Sequence, residues 1–237
     1  MKKSVKAIII IAIICICACT AVLITKHFET KKPSGTDVAG GLSQTEESGG
    51  AVYKYTNSGY KFSRLSSYTG EYVEDGKNEN VKNIAAITIK NTTETDCRYA
   101  EVSVVTEGET YEFAFTTLKS GESVTVLEKN KKSYNEKSKI KTISIDKISG
   151  FQEKPQMYKD IFELTVMDGV INIKNISDKD IDGTVYVYYK NTRDGRLFGG
   201  ITYRIPFDSI KAGELKQMPS KHLSKENSVL EFITYEH

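Results

Sequence analysis

The chain has 237 residues, with 33 Lys+Arg against 31 Asp+Glu, 14 tyrosines, no tryptophan and four cysteines. The first 25 residues hold three of the lysines and no acid, which leaves 30 basic against 31 acidic residues from Lys26 onward, a net of −1. So even a balance gives no electrostatic footprint for nucleic acid. Cys15, Cys17 and Cys19 crowd the N-terminal end, and Cys97 stands alone in the remainder, which excludes a disulfide framework.

Lys2, Lys3 and Lys6 precede an uncharged run, Ala7 to Thr25, AIIIIAIICICACTAVLIT, which Lys26 closes. As a helix at 1.5 Å per residue it spans about 28 Å, close to the roughly 30 Å hydrocarbon core. A basic head before such a run holds the N-terminus in the cytoplasm. The reading is a signal-anchor: residues 1–6 a cytoplasmic tail, 7–25 a transmembrane helix, and the rest extracellular. A cleaved signal peptide has a shorter apolar core of about 7–15 residues. Ile16-Cys17-Ala18-Cys19 resembles a lipobox, so a lipoprotein modified at Cys19 is the alternative, with simple secretion the third. A cysteine-poor, lysine-rich exported chain with an Ile-rich anchor fits a Gram-positive envelope.

Residues 26–50 change character. Five glycines, one proline and many Ser/Thr leave almost nothing to bury, which predicts a flexible tether reaching about 25–30 Å. The folded part, divided as 51–150 and 151–237, contains an internal repeat. Ile87-Thr88-Ile89-Lys90-Asn91 returns 84 residues later as Ile171-Asn172-Ile173-Lys174-Asn175. Leu118-Lys119-Ser120-Gly121-Glu122 returns 92 residues later as Ile210-Lys211-Ala212-Gly213-Glu214, the extra eight residues fitting a longer hairpin around Asn191 to Gly200. Ordered matches of this kind indicate a duplicated domain.

Each copy reads as all-β. The alternating ITIKN and INIKN segments predict strands, followed by the turn-rich TTETD and ISDKD. Strands then follow at Glu101–Val105, Tyr111–Thr117, Ser123–Leu127 and Lys141–Ile148 in the first copy. In the second they are expected at Thr184–Tyr189, Ile201–Phe207 and Val229–Tyr235. Short strands with turns every 8–12 residues predict two tandem β-sandwiches after the transmembrane helix and linker.

Val187-Tyr188-Tyr189-Lys190-Asn191, then Asp194-Gly195, then Ala212-Gly213-Glu214, resembles the FxLYD-type immunoglobulin-like domains of bacterial exported proteins. The first copy matches more loosely through Glu107-Gly108 and Ser120-Gly121-Glu122. Ala212 replaces the usual proline, and the namesake motif is not spelled out. The resemblance covers roughly residues 81–150 and 162–237. It implies a fold rather than an activity.

Catalytic motifs are scarce. The only histidines are His27, His222 and His237, and no G-x-S-x-G or H-E-x-x-H occurs. Ser138-Lys139-Ile140-Lys141 satisfies S-x-x-K without its companion motifs. Cys97, in a predicted strand, reads as a buried structural thiol. Lys129 to Lys141 is the most basic stretch and reads as a solvated loop or edge strand. Asp178, Asp180 and Asp182 begin an EF-hand-like string, D-x-D-x-D-G, and form a weak calcium candidate. The twelfth position, however, is Tyr189 rather than the bidentate Glu such a loop needs. Tyr186 and Tyr188 share one strand face while Val185, Val187 and Tyr189 take the other. If the valine face is the core, the tyrosines with Arg204 form a flat binding platform; cross-strand aromatic packing is the plainer reading. The sequence therefore points to a membrane-anchored, non-enzymatic binding or scaffolding protein that uses no cofactor. Its partner would be an envelope protein or wall polymer. An envelope enzyme or accessory subunit with a cryptic site, and a passive spacer, are the alternatives.

Overall fold

Asn91 and Asn175 sit at the same point of two matching structures, and each closes a turn with the same set of bonds. Asn91 Nδ2 donates to Thr95 O (2.9 Å) and Leu118 O (3.0 Å), while its Oδ1 accepts from Thr93 N and Oγ1. Asn175 Nδ2 donates to Lys179 O (2.7 Å) and Ile210 O (3.0 Å), and its Oδ1 accepts from Ser177 N and Oγ. The backbone repeats the agreement: Gly121 N–H donates to Asn91 O and Gly213 N–H to Asn175 O, each at 2.9 Å. Both asparagines are fully buried. A short amide with two donors and an acceptor can satisfy carbonyls that an apolar side chain would orphan there.

The computed structural model describes residues 59–77 and 79–235 in full and the backbone of 43–47 and 50–54. The expected transmembrane helix and most of the expected tether lie outside the described residues. Among the described residues there is no helix, and none long and apolar enough to cross a membrane. They are all-β. The strands are β1 (Ser43–Glu47), β2 (Gly50–Lys54), β3 (Tyr60–Glu71), β4 (Asn80–Asn91), β5 (Cys97–Thr106), β6 (Thr110–Leu118), β7 (Ser123–Leu127) and β8 (Ile140–Gly150). There follow β9 (Phe162–Met167), β10 (Val170–Asn175), β11 (Ile181–Arg193), β12 (Arg196–Phe198), β13 (Tyr203–Ile210), β14 (Leu215–Pro219) and β15 (Ser228–Thr234).

Two sheet pairings recur. In the first half β3-β4-β7 lies opposite β6-β5-β8; in the second β9-β10-β14 lies opposite β13-β11-β15. The registers agree as well, with Val102 opposite Phe113 and Ile145, and Val187 opposite Ile205 and Ile233. Each pair of layers encloses its own core. The first contains Phe62, Ile87, Ile89, Val102, Val104, Phe113 and Phe115. The second contains Ile171, Ile173, Val185, Val187, Tyr189, Ile205 and Phe207. Period-two alternation produces both, because β5 and β11 are the central strands of their layers and turn every second side chain inward.

β1 and β2 pair as a hairpin that extends the first layer beyond β3. The C-terminal end of the expected tether, from Ser43, thus carries ladder pairing. β13 begins at Tyr203, two residues later than expected, because Gly200 and Ile201 are engaged elsewhere.

The eight-residue excess of the second copy lies in the β11–β12 hairpin. Asp194 (φ 51°) and Gly195 (φ 69°) form its two-residue turn, both in the left-handed region that the twist of a tight hairpin demands. The hairpin reaches across to the first half, where β12 pairs parallel to β7. Leu197 joins the first core, and Phe198 enters a third cluster with Tyr72, Val73, Ile84, Ala86 and Leu127. Burying these two side chains stabilises the contact by about 3–6 kcal/mol.

Candidate functional site

On the outer face of β13-β11-β15 the side chains that alternate with the core residues gather into an aromatic strip. Tyr188 stacks on Phe232 (4.2 Å between centroids, 12° between planes), and Phe151 meets Phe232 edge-on at 5.5 Å. Tyr186 lies 6.5 Å from Tyr188, and the Arg204 guanidinium sits 4.8 Å from the Tyr186 ring centre. Register explains the grouping: Tyr188 is opposite both Arg204 and Phe232, and Tyr186 is opposite Pro206 and Thr234. The three residues expected to form a platform are therefore together. The valine face is the core, and Tyr186 and Tyr188 remain half-buried on the outside. Phe232, buried against Tyr188 and Phe151, backs the strip, and the half-buried Phe151 continues it. Neither belongs to the expected platform: Phe232 lies in the expected closing strand and Phe151 in the connector between the halves.

Two clefts flank the strip and share Thr234. One, about 320 Å³, is lined by Thr184, Tyr186, Thr234 and Tyr235. The other, about 450 Å³, lies where the halves meet; Arg98, Thr116, Phe151, Tyr188, Thr202 and Phe232 contribute to it.

Alternation also places Lys190 on this outer face, yet it is fully buried because β6 lies over it. Its Nζ donates to Thr116 O (2.8 Å), Ile201 O (3.1 Å) and Gly200 O (3.2 Å). Burial lowers its pKa to about 8, against the opposing pull of Glu231, Glu74 and Glu122. Glu74 accepts from Gly200 N (2.7 Å) and Leu127 N (2.8 Å), so one carboxylate clasps both halves. Burial raises its pKa to about 7 despite those bonds and Lys190. Glu231, also raised by burial, pairs with Lys119 at 2.6 Å. Gly200 shows how close the approach is: a Cβ there would lie 1.9 Å from Ala114 O. The Gly199-Gly200 pair thus serves a close approach of the two backbones.

The acidic string separates by role. Asp180 Oδ1 accepts from Ala212 N at 2.8 Å, as Asp96 Oδ1 accepts from Ser120 N at 2.9 Å in the first half. Asp178 lies in the exposed turn, and Asp182 at the start of β11. Tyr189 belongs to the second core, its hydroxyl 2.7 Å from Ser220 Oγ. Among the described residues, no three His, Cys, Asp or Glu side chains gather as metal ligands. Cys97 is buried in the first core with its thiol pKa raised by burial, while His222 stacks on Tyr203 at 4.9 Å.

A scan against family models finds none that matches this chain, and a search of curated proteins finds no match either.

Proposed function

We propose that this chain is a single-pass membrane protein of a bacterial, Gram-positive-type envelope. Its N-terminus is cytoplasmic, and it displays two tandem immunoglobulin-like β-sandwiches of the FxLYD type outside the cell. Its role is non-enzymatic binding or scaffolding through the aromatic face of the second sandwich. The apolar run at 7–25 with its basic head supports the location, and the repeated strand order supports the tandem arrangement.

One observation carries the binding role. The fold does not require the aromatic strip, because the other copy does without it. Registered on the core valines, Tyr186 corresponds to Glu101, Tyr188 to Ser103 and Arg204 to Glu112. In the first copy Glu101 pairs with Lys147 at 3.1 Å and Glu112 with Lys129 at 2.9 Å. Aromatic residues with arginine on an open sheet face have the composition of a recognition surface. The shifted ionisable groups Lys190, Glu74 and Glu231 are tied into the contact between the halves rather than into an open cleft, which favours binding over catalysis.

A photo-crosslinking residue placed at Tyr186 of the full-length protein in cells should give a discrete envelope adduct. The same residue at Glu101, the matching position, should give none. Equal patterns from both sites would discard the binding face and leave the spacer reading. Protease added to protoplasts should remove the β domains; their survival would refute the orientation.

A further inference from the structure

We infer that the aromatic strip and its two clefts bind an extended glycan, a chain of pyranose rings, running from Tyr186 across Tyr188 to the meeting point of the two halves. This rests on the binding role proposed above and names the ligand class. Three observations favour sugar rings over a polypeptide. First, the tyrosines stand on β11, which is hydrogen-bonded on both sides to β13 and β15. An added peptide strand would therefore pair with those flanking strands and not run across the tyrosine rings. Second, the clefts pair ring faces with hydroxyls and amides. Thr234 and Thr184, the latter bonded to Asp208 Oδ1 at 3.2 Å, line one. Gln152 lines the other with Thr116 and Thr202, whose hydroxyls lie 2.9 Å apart and keep acceptor capacity for a sugar hydroxyl. A pyranose presents C–H groups on its face, which suit the negative face of a tyrosine ring, and hydroxyls on its rim, which suit threonine and glutamine. Third, the two clefts adjoin at Thr234 beside the tyrosines, so successive rings of one polymer can occupy both.

The larger cleft draws on both halves, with Arg98 and Thr116 from the first and Tyr188, Thr202 and Phe232 from the second. Thr116 O is also an acceptor of the buried Lys190 ammonium. The site is therefore complete only while the contact between the halves is closed, and Lys190 is a positioning residue for it.

The test uses the full-length protein in detergent micelles with peptide-free glycan strands of peptidoglycan as the probe. Calorimetry or ligand-observed NMR supplies the affinity. The variants Tyr186→Glu and Tyr188→Ser copy the residues that the first half already tolerates at Glu101 and Ser103, so folding is protected. Each should weaken binding by at least about tenfold with the melting temperature held. Lys190→Met, with folding confirmed by melting, should weaken binding though it touches no sugar. Strands that fail to bind the wild type, or bind these variants equally, overturn the proposal. Tighter binding of a polyol-phosphate polymer, which has no ring face to stack, also overturns it. If glycan binding fails while the Tyr186 crosslink captures one envelope protein, the ligand class is wrong and the surface stands. If both fail, both readings fall.

Discussion

The two halves share strand order, register and asparagine clamps, yet they differ where nothing in the fold compels them to agree. The first covers its outer face with ion pairs and polar contacts: Lys147 with Glu101, Lys129 with Glu112, and Ser103 bonded to Asp146. The second covers the same positions with tyrosines, a phenylalanine and an arginine. It also lengthens one hairpin, which docks on its sister. What the two halves share is what a layered β fold needs, namely alternating core residues and turn-closing asparagines. Surface and loop length are then free to diverge.

Breaking the contact between the halves should produce the largest effect. Gly200→Ala drives a Cβ into the Ala114 carbonyl, and backbone on both sides leaves little room to yield. The change should cost about 4 kcal/mol or more and separate unfolding of the two halves into distinct transitions. One cooperative melt with an unchanged midpoint would show that the contact is softer than it looks. Lys190→Met comes next, at about 3 kcal/mol. It strips a donor from three carbonyls and leaves Glu74 and Glu231 without the neighbouring cation. Urea denaturation of the full chain measures both.

The asparagine clamps test the equivalence directly. Asn91→Asp and Asn175→Asp each remove an amide that donates to two carbonyls and put a carboxylate in its buried place. Each should cost about 2–3 kcal/mol, and the two costs should agree within about 1 kcal/mol. A large disparity would mean that one copy has found another way to close its turn. Both asparagines also fall in N-x-Ser/Thr strings, Asn91-Thr92-Thr93 and Asn175-Ile176-Ser177. Here the hydroxyl serves the clamp, donating to the asparagine Oδ1 at 2.7 Å.

These clamps explain why so much of the fold was legible in the sequence. Asn91 and Gly121-Glu122 recur as Asn175 and Gly213-Glu214 because a buried amide and a tight turn admit few substitutes. The repeat therefore survived where the surface changed. β5 and β11 were legible from their alternation. β3 and β9 were not, since β3 is largely polar beyond Tyr60 and Phe62 and is broken by register shifts, and β9 fully buries only Phe162. The longer hairpin could be counted, but its destination could not. Docking on β7 is a non-local event, and Lys190 meets Thr116 across 74 residues of sequence. Alternation alone puts Lys190 in solvent with Tyr186 and Tyr188. Tyr186, Tyr188 and Arg204 could be read as a group because the strand period decides their face. Phe151 belongs to a connector, where no period operates.

The smallest effect, and the one that separates the ionic contact from the rest of the fold, is the pH dependence. Glu74 titrates at about 7 in the folded chain and at the ordinary 4.5 when unfolded. Between those values the folded chain retains a proton that the unfolded chain has released, so stability falls as pH rises through the window. Glu231, also raised by burial, acts in the same direction. Lys190 has the opposite displacement, about 8 against 10.5, so the unfolded chain holds the extra proton and stability rises with pH across that interval. Glu101 and Glu112 sit below their ordinary range through Tyr99 and lysine partners. Their support is present above the ordinary carboxylate pKa and disappears only as pH falls through their lowered values, outside both windows. The Cys97 thiol and the tyrosines Tyr60, Tyr72 and Tyr203, all raised by burial, oppose the rise from Lys190 above their ordinary values of 9 and 10. The urea midpoint should therefore be lowest between about pH 7 and 8, where Glu74 and Lys190 are both charged, and rise from there to about pH 9. In Lys190→Met the alkaline rise should vanish. Without the ammonium that favours its ionised form, Glu74 should titrate higher, carrying the downward limb past pH 7. A midpoint flat from about pH 5 to 9 in the wild type would mean that water reaches these groups and that the contact is open in solution.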